Sequence, residues 1–290
     1  MDLTLDSHSA YAFRLAPLPG RPTLLLIHGA GLDSRAWLPT MRRLAARGFG
    51  LIAPDLPGHG ATGGAALPDI PAMARWVMRC ADVPQPVNAG SAMHPAARSG
   101  TLLLVGHSMG AMVALHAAGE VGLHAAAGGT PRIAGTALLA TAFPLAVSAA
   151  LLQAAIDDEP GAQAMVNAWS HAMPRAGEGG TPPAQAAAMA ANLACIQSQR
   201  PGTLHTDLLA CNTYAEGFTS AARLRCPALL LLGEKDRMTP PRNAQALAAA
   251  LLAQTSTRVA TLPGTGHNMM GERPDAVADA LAEWGEQVSP

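Results

Sequence analysis

The stretch "LLLVGHSMGAMVALHAAG" (residues 102–119) joins a run of branched apolar side chains to a serine that lies between two glycines. The apolar run is typical of a buried strand, and the small residues after it follow a helical pattern. Gly106, Ser108 and Gly110 fit the pattern G-x-S-x-G, which indicates a nucleophilic serine when it lies at a strand-to-helix turn. Side chains at positions 106 and 110 would collide with neighbouring backbone in such a turn. The sequence therefore predicts that Ser108 projects its hydroxyl from a sharp turn at the carboxyl end of a strand.

Apolar runs of this kind recur along the chain, and helical patterns lie between them. The runs lack period-2 alternation, which favours strands buried on both faces. Alternating strands and helices indicate an α/β fold, with a mostly parallel central sheet flanked by helices. The predicted strands are 23–27, 50–53, 101–105, 133–140, 228–232 and 258–262, and the predicted helices are 36–47, 70–80, 109–118, 243–253 and 275–287.

Two segments interrupt this alternation. Residues 83–100 are rich in Pro, Gly, Ser and Asn, which predicts a long surface loop. Residues 143–222 carry no strand signal, but they contain helical patterns separated by Pro and Gly. We therefore expect a core formed by 1–142 and 223–290, with 143–222 as an inserted helical unit.

Composition and charge narrow the range of partners. A formal charge of -1 offers no basic surface for nucleic acid, and the N-terminal segment lacks the apolar stretch of a signal peptide. We expect a cytoplasmic protein with a small-molecule substrate and with neither nucleic acid nor a membrane as partner, while a homo-oligomer is left open. The four cysteines form no C-x-x-C pair and are interpreted as buried free thiols. The histidines show no ligand-like cluster, so neither a metal nor another cofactor is expected.

A reactive serine needs a base, because its hydroxyl is a weak nucleophile near neutral pH, and the base needs an acid to orient it. Asp236 lies in "LLLLGEKDRMTPP", just after one predicted strand, and His267 lies in "VATLPGTGHNMMGERP", just after the last. The chain order Ser108, Asp236, His267 is the order expected for a serine nucleophile on a parallel α/β sheet. The three residues are therefore candidates for a catalytic triad.

Acyl transfer also requires backbone N–H groups that stabilise the developing oxyanion. Met109 follows the serine at the start of a predicted helix and is one candidate donor. The loop "HGAG" (28–31) follows another predicted strand, and its glycines allow a close approach of backbone to substrate. The sequence leaves open whether Ala30 or Gly31 supplies the second N–H.

One motif indicates a different function, the binding of a dinucleotide. "GHGATG" (58–63) matches the dinucleotide-binding pattern G-x-G-x-x-G, but the residues after it do not open the helix that this pattern requires. We interpret it as a structural loop, with Asp55 and His59 as local hydrogen-bonding residues.

The chain resembles the α/β-hydrolase family, and in particular its serine esterases and lipases that carry a helical cap. The resemblance rests on "HGAG" (28–31), "DLPGHG" (55–60), "GHSMG" (106–110), "GEKD" (233–236) and "GTGH" (264–267), which occur in the family's order. It implies a triad of Ser108, Asp236 and His267, an oxyanion hole from Ala30 and Met109, and a cap formed by 143–222.

The sequence thus predicts a serine hydrolase that cleaves small to medium apolar carboxylic esters through an acyl-enzyme. Gly31, His107, Phe143 and Met269 are candidates for the substrate pocket. A C–C bond hydrolase, a lactonase or a perhydrolase of the same fold stays open, as does a non-catalytic member that binds a ligand.

Overall fold

The computed structural model describes residues 2–5, 8–83, 101–126, 133–173 and 182–289 of the 290-residue chain. Within these residues, one eight-stranded sheet forms the centre of the molecule. The strands β1 to β8 are Asp2–Leu5, His8–Leu15, Thr23–Ile27, Gly50–Pro54, Leu102–His107, Ile133–Leu139, Ala228–Gly233 and Thr257–Leu262.

The strands lie in the order β1-β2-β4-β3-β5-β6-β7-β8. β1 and β2 form an antiparallel hairpin at one edge, and every pairing from β4 to β8 is parallel. The register pairs Ile27 of β3 with Gly106 of β5, so the loop after β3 begins beside the turn after β5. Because the carboxyl ends of parallel strands meet at one edge, the loops after β7 and β8 lie at this same edge.

Helices cover both faces of the sheet, and a separate apolar layer lies under each face. One layer includes Met73, Met112 and Leu247, and the other includes Met41 and Leu281. The predicted mostly parallel sheet flanked by helices is confirmed. The helices α1 to α11 are Leu38–Ala46, Ile70–Asp82, Met109–Ala126, Ala149–Asp157, Glu159–Trp169, Pro183–Gln197, Thr203–Thr213, Gly217–Arg223, Gln245–Gln254, Met269–Glu272 and Pro274–Val288.

The helices α4 to α8 lie between β6 and β7, within the segment predicted to be helical. Ser148 and Asp158 begin α4 and α5, since each side chain accepts a hydrogen bond from an N–H of the first turn. An apolar cluster that includes Leu151, Val166 and Leu204 joins α4, α5 and α7 to Leu32 in the loop after β3. The last of these five helices, α8, instead packs against α3 and α9 of the core.

The predicted strands agree with the observed ones to within two residues at either end. The hairpin of β1 and β2 was not predicted, because the buried residues of β2 are Ala10 and Ala12, which give a weak strand signal. All but the first residue of the predicted loop 83–100 lies outside the described residues. The prediction of free, buried cysteines is confirmed for all four. No helix in the described ranges combines the length and apolar character needed to cross a bilayer.

Candidate active site

Ser108 occupies a sharp turn between β5 and α3, with a φ of 53° that non-glycine residues rarely adopt. Its N–H donates to the carbonyl of Leu139 at 2.9 Å, which ties the turn to β6. A Cβ at Gly106 would lie 2.0 Å from the carbonyl oxygen of Gly110, and one at Gly110 would lie 2.3 Å from that of Ile27. The steric reason predicted for both glycines is therefore confirmed.

Asp236 and His267 form a buried hydrogen-bonded pair in the loops after β7 and β8. His267 Nδ1 lies 2.8 Å from Asp236 Oδ2, and the Thr239 hydroxyl donates to the same oxygen at 2.7 Å. The backbone N–H groups of Met238 and Thr239 donate to Asp236 Oδ1 at 2.9 and 2.8 Å. The carboxylate is thus held by four donors and fixes the orientation of the imidazole.

The same contacts set the ionisation of Asp236. Burial alone would raise the pKa of Asp236, but His267 and the hydrogen bonds from Thr239 outweigh it and bring the pKa to about 2. When the imidazole is neutral, the ionised carboxylate favours the tautomer that carries the proton on Nδ1. This leaves Nε2 of His267 unprotonated and able to act as a base.

His107 precedes Ser108 in sequence, but its side chain contacts the loop after β8 that contains His267. Its Nε2 lies 2.9 Å from the carbonyl oxygen of His267, so the neutral ring donates its proton there. Burial, with a smaller contribution from His267, lowers the pKa of His107 to about 3. His107 is therefore uncharged, and its Nε2–H points at backbone.

The loop after β3 begins beside the serine turn and forms a tight turn of its own. The N–H of Leu32 donates to the carbonyl of Gly29 at 3.2 Å and closes a turn, in which Gly31 has a φ of 65°. The N–H of Gly31 is already used, because it donates to Asp207 Oδ2 at 2.7 Å. Across the described part of the chain, neither the Ala30 nor the Met109 N–H has a hydrogen-bond partner. These two N–H groups therefore remain candidate donors to an oxyanion.

A narrow cavity with about 30 Å³ of enclosed free volume lies between this edge of the sheet and helices α5 to α7. Ser108, His267, Ala30 and His107 line its sheet side. Its other lining residues combine apolar and polar side chains, and they are Gly29, Leu32, Val166, Ser170, Asn192, Ile196, Leu208, Met238 and Asn268.

The remaining predicted pocket residues do not line this cavity. Phe143 packs edge-on against Tyr214 and Phe218, with ring centroids 5.8 and 4.9 Å apart. Met269 is fully buried in the apolar layer beneath the sheet, and Gly31 lies behind the cavity against α7.

The loop after β4 contains both residues predicted to form local hydrogen bonds. Asp55 accepts from the N–H groups of Ser34 and Ala61, as predicted. His59 lies 3.1 Å from the carbonyl of Pro57, and its other nitrogen reaches Asp207 on α7.

Several site residues were missed from the sequence. Thr239 and Asn268 lie within three residues of Asp236 and His267, so their positions carried a local signal. Ser170, Asn192 and Asp207 come from the inserted helices, and no motif marks them. Their place at the site depends on how those helices pack.

The family model for the alpha/beta hydrolase family matches residues 24–280. The chain therefore belongs to this family of hydrolases. A search of curated proteins finds no match.

Solved structures share the fold along nearly the whole chain. One is a thermophilic esterase from Thermogutta terrifontis, with 21% identity, a TM-score of 0.76, and coverage of 100% of this chain and 99% of that one. Another is the enol-lactonase from Burkholderia xenovorans LB400, with 18% identity, a TM-score of 0.76, and coverage of 98% and 99%. A third is a bromoperoxidase from Bacillus anthracis, with 18% identity, a TM-score of 0.73, and coverage of 96% of each chain.

Proposed function

We propose that this protein is a serine hydrolase of small carboxylic esters, with Ser108, His267 and Asp236 as its triad. One observation carries the proposal: Ser108 and His267 line one cavity, and His267 is bonded through Nδ1 to a buried carboxylate. The strained backbone at Ser108 adds support, because such strain clusters at active sites.

The reaction follows from these positions. His267 Nε2 takes the proton of the Ser108 hydroxyl while the oxygen attacks the ester carbonyl, and Asp236 stabilises the imidazolium that forms. The carbonyl oxygen becomes an oxyanion, for which the N–H groups of Ala30 and Met109 are the proposed donors. The alcohol leaves with the proton from His267. Water, activated by the same base, then hydrolyses the acyl-enzyme and frees Ser108.

We propose that α4 to α7, within residues 143–222, form a cap over the site. Val166, Ile196 and Leu208 reach the cavity from three of these helices. The enclosed free volume of about 30 Å³ is far below the range of about 300 to 1,000 Å³ that is typical of ligand sites. This size favours esters with short acyl and alcohol groups.

The test compares the wild type with Ser108→Ala, using p-nitrophenyl esters from acetate to decanoate and a fluorophosphonate label. We expect Ser108→Ala to lower turnover by about 10⁴-fold or more, to abolish labelling and to keep the fold. We also expect acetate and butanoate to react faster than decanoate. Equal turnover by both proteins, or labelling at another residue, would overturn the triad.

The same panel separates the alternatives. Lactones, peracid formation and a C–C cleavage substrate each test another reaction that the same triad can carry out. Ligand binding without turnover above that of Ser108→Ala would favour a non-catalytic role.

A further inference from the structure

Helix α7 of the proposed cap rests directly on the loop that carries the proposed oxyanion donor Ala30. Leu204 and Asp207 are three residues apart, so both side chains lie on one face of this helix. A Cβ at Gly31 would lie 2.8 Å from Leu204 Cδ1, which shows how closely the helix approaches the loop. Leu204 and Asp207 are both fully buried.

The Asp207 carboxylate joins two separate core loops at one oxygen atom. Oδ2 accepts from the Gly31 N–H at 2.7 Å and lies 2.8 Å from Nε2 of His59. The second oxygen, Oδ1, is buried and has no hydrogen-bond partner in the described ranges. Burying a carboxylate costs free energy. Because Asp207 is buried and makes only these two contacts among the described residues, we infer that the contacts with Gly31 and His59 are the reason for a carboxylate at this position.

The imidazole of His59 is the titratable partner of this carboxylate. Burial would lower the pKa of His59, but the charge and hydrogen bond of Asp207 outweigh it and raise the pKa. The ring of His28 lies 4.8 Å away, and burial, together with His59, lowers the pKa of His28. The raised pKa favours the protonated form of His59, whose charge would offset that of the carboxylate near an oxyanion.

The contact with Gly31 lies one peptide away from the N–H of Ala30. Asp207 holds the peptide between Ala30 and Gly31, and the Leu32 N–H bond to the Gly29 carbonyl holds the preceding peptide, which carries the Ala30 N–H. The two bonds together fix the turn. Without Asp207, the Gly31 peptide can rotate, because a glycine has little steric barrier to other backbone angles. An oxyanion donor has full effect only when it is already oriented before the reaction.

We propose that Asp207 is a positioning residue through which docking of the cap orients the Ala30 N–H for transition-state stabilisation. The inference rests on the proposed function, since it assigns a role within that reaction. It links cap closure to assembly of the oxyanion hole: when α7 lifts, the loop loses the acceptor that holds it.

The test compares Asp207→Ala and Asp207→Asn with the wild type on p-nitrophenyl acetate. Asp207→Ala removes the acceptor, and we expect kcat to fall about 10- to 100-fold with KM within about twofold, because loss of a whole oxyanion donor costs about 10² to 10³. Asp207→Asn keeps an oxygen that can accept from Gly31, so kcat should return to within a few-fold of the wild type. If Asp207→Ala does not fold, Asp207→Ser replaces it, because the serine side chain is too short for its hydroxyl to reach the Gly31 N–H.

Arg200→Ala is the matched control. Arg200 also joins the proposed cap to the core, through the carbonyls of Thr62 and Gly64, but it does not contact the oxyanion loop. It should leave kcat within about twofold of the wild type. Equal losses in Arg200→Ala and Asp207→Ala, or a wild-type kcat in a folded Asp207→Ala, would overturn the positioning role.

Two further measurements separate this proposal from the proposed function. Hydrogen exchange, followed by mass spectrometry on the peptide that covers residues 29–32, requires no activity. The loop should exchange faster in Asp207→Ala than in the wild type or in Arg200→Ala, and unchanged exchange would count against the contact. Ser108→Ala, assayed in parallel, reports on the reaction itself: if it keeps turnover, the triad is wrong whatever the exchange shows.

Discussion

The two sides of the active-site cavity are built in different ways. On the sheet side, Ser108, Asp236 and His267 each follow a parallel strand, so chain order and strand order together bring them to one edge. On the helical side, residues such as Leu208 and Asp207 reach the site only because α7 packs in one particular place. The proposed chemistry thus depends on the part that local sequence rules specify, and the proposed shaping and alignment of the site depend on the part that tertiary packing specifies.

The largest effect is expected on the sheet side, from Asp236→Asn. The amide cannot hold His267 in the tautomer with a free Nε2, so kcat should fall about 10⁴-fold. Hydrolysis of p-nitrophenyl acetate measures the loss, and thermal melting checks the fold. Lys235→Ala is the control, because its side chain is exposed in the same loop. A loss of less than tenfold in a folded Asp236→Asn would contradict the role given to the sheet side.

The second prediction compares a glycine on each side. Gly110→Ala places a Cβ 2.3 Å from backbone oxygen at the serine turn, and overpacking against rigid backbone should cost about 3 kcal/mol or more in the free energy of unfolding. Gly202→Ala, just before α7, meets no atom within 4 Å and has only a positive φ to oppose it, at about 1 to 2 kcal/mol. Denaturant unfolding of both variants measures the difference. Equal losses would show that the sheet edge is no more tightly constrained than the start of the cap helix.

The same contrast between the two sides explains how much of the fold and of the site could be predicted from the sequence. The parallel sheet and the elbow at Ser108 follow from short-range rules, since buried strands are apolar runs and Gly106 and Gly110 have a local steric cause. The pairing of Asp236 with His267 was predicted from position, because both follow strands that end at one edge. Asp207 could not be predicted, because its partners His59 and Gly31 are 148 and 176 residues away and no motif links them. The proposal of Ala30 rather than Gly31 as the donor also depends on that contact.

The third prediction concerns a substitution that enlarges the cavity from the helical side. Leu208→Ala removes an apolar wall, so longer acyl chains should fit better. We expect the ratio of kcat/KM for p-nitrophenyl hexanoate to that for the acetate to rise about tenfold, the scale of discrimination for one or two methylenes in an apolar pocket. Leu209→Ala is a close control, because the next side chain on the helix is 42% exposed and faces away. An equal change in both variants would mean that the cap does not set chain length.

The smallest effect concerns the charge pair that joins the two sides. Because Asp207 raises the pKa of His59 above that of the unfolded chain, folding is favoured by proton binding. This stability is fully present below pH about 6.5 and is lost as the pH rises through the folded-state pKa of His59. One proton limits the slope to about 1.4 kcal/mol per pH unit.

Thermal melting between pH 5.5 and 9 measures this slope in the wild type and in His59→Gln. The glutamine can still bond to Asp207 but does not titrate, so the decline in melting temperature above pH 6.5 should become shallower. His205→Gln, on the same helix as Asp207, controls for the loss of any histidine. If His59→Gln keeps the full decline, titration of His59 does not cause it, and a charged His59 is not what allows Asp207 to lie so near the loop that carries Ala30. The sheet and helical sides would then be joined by hydrogen bonds alone.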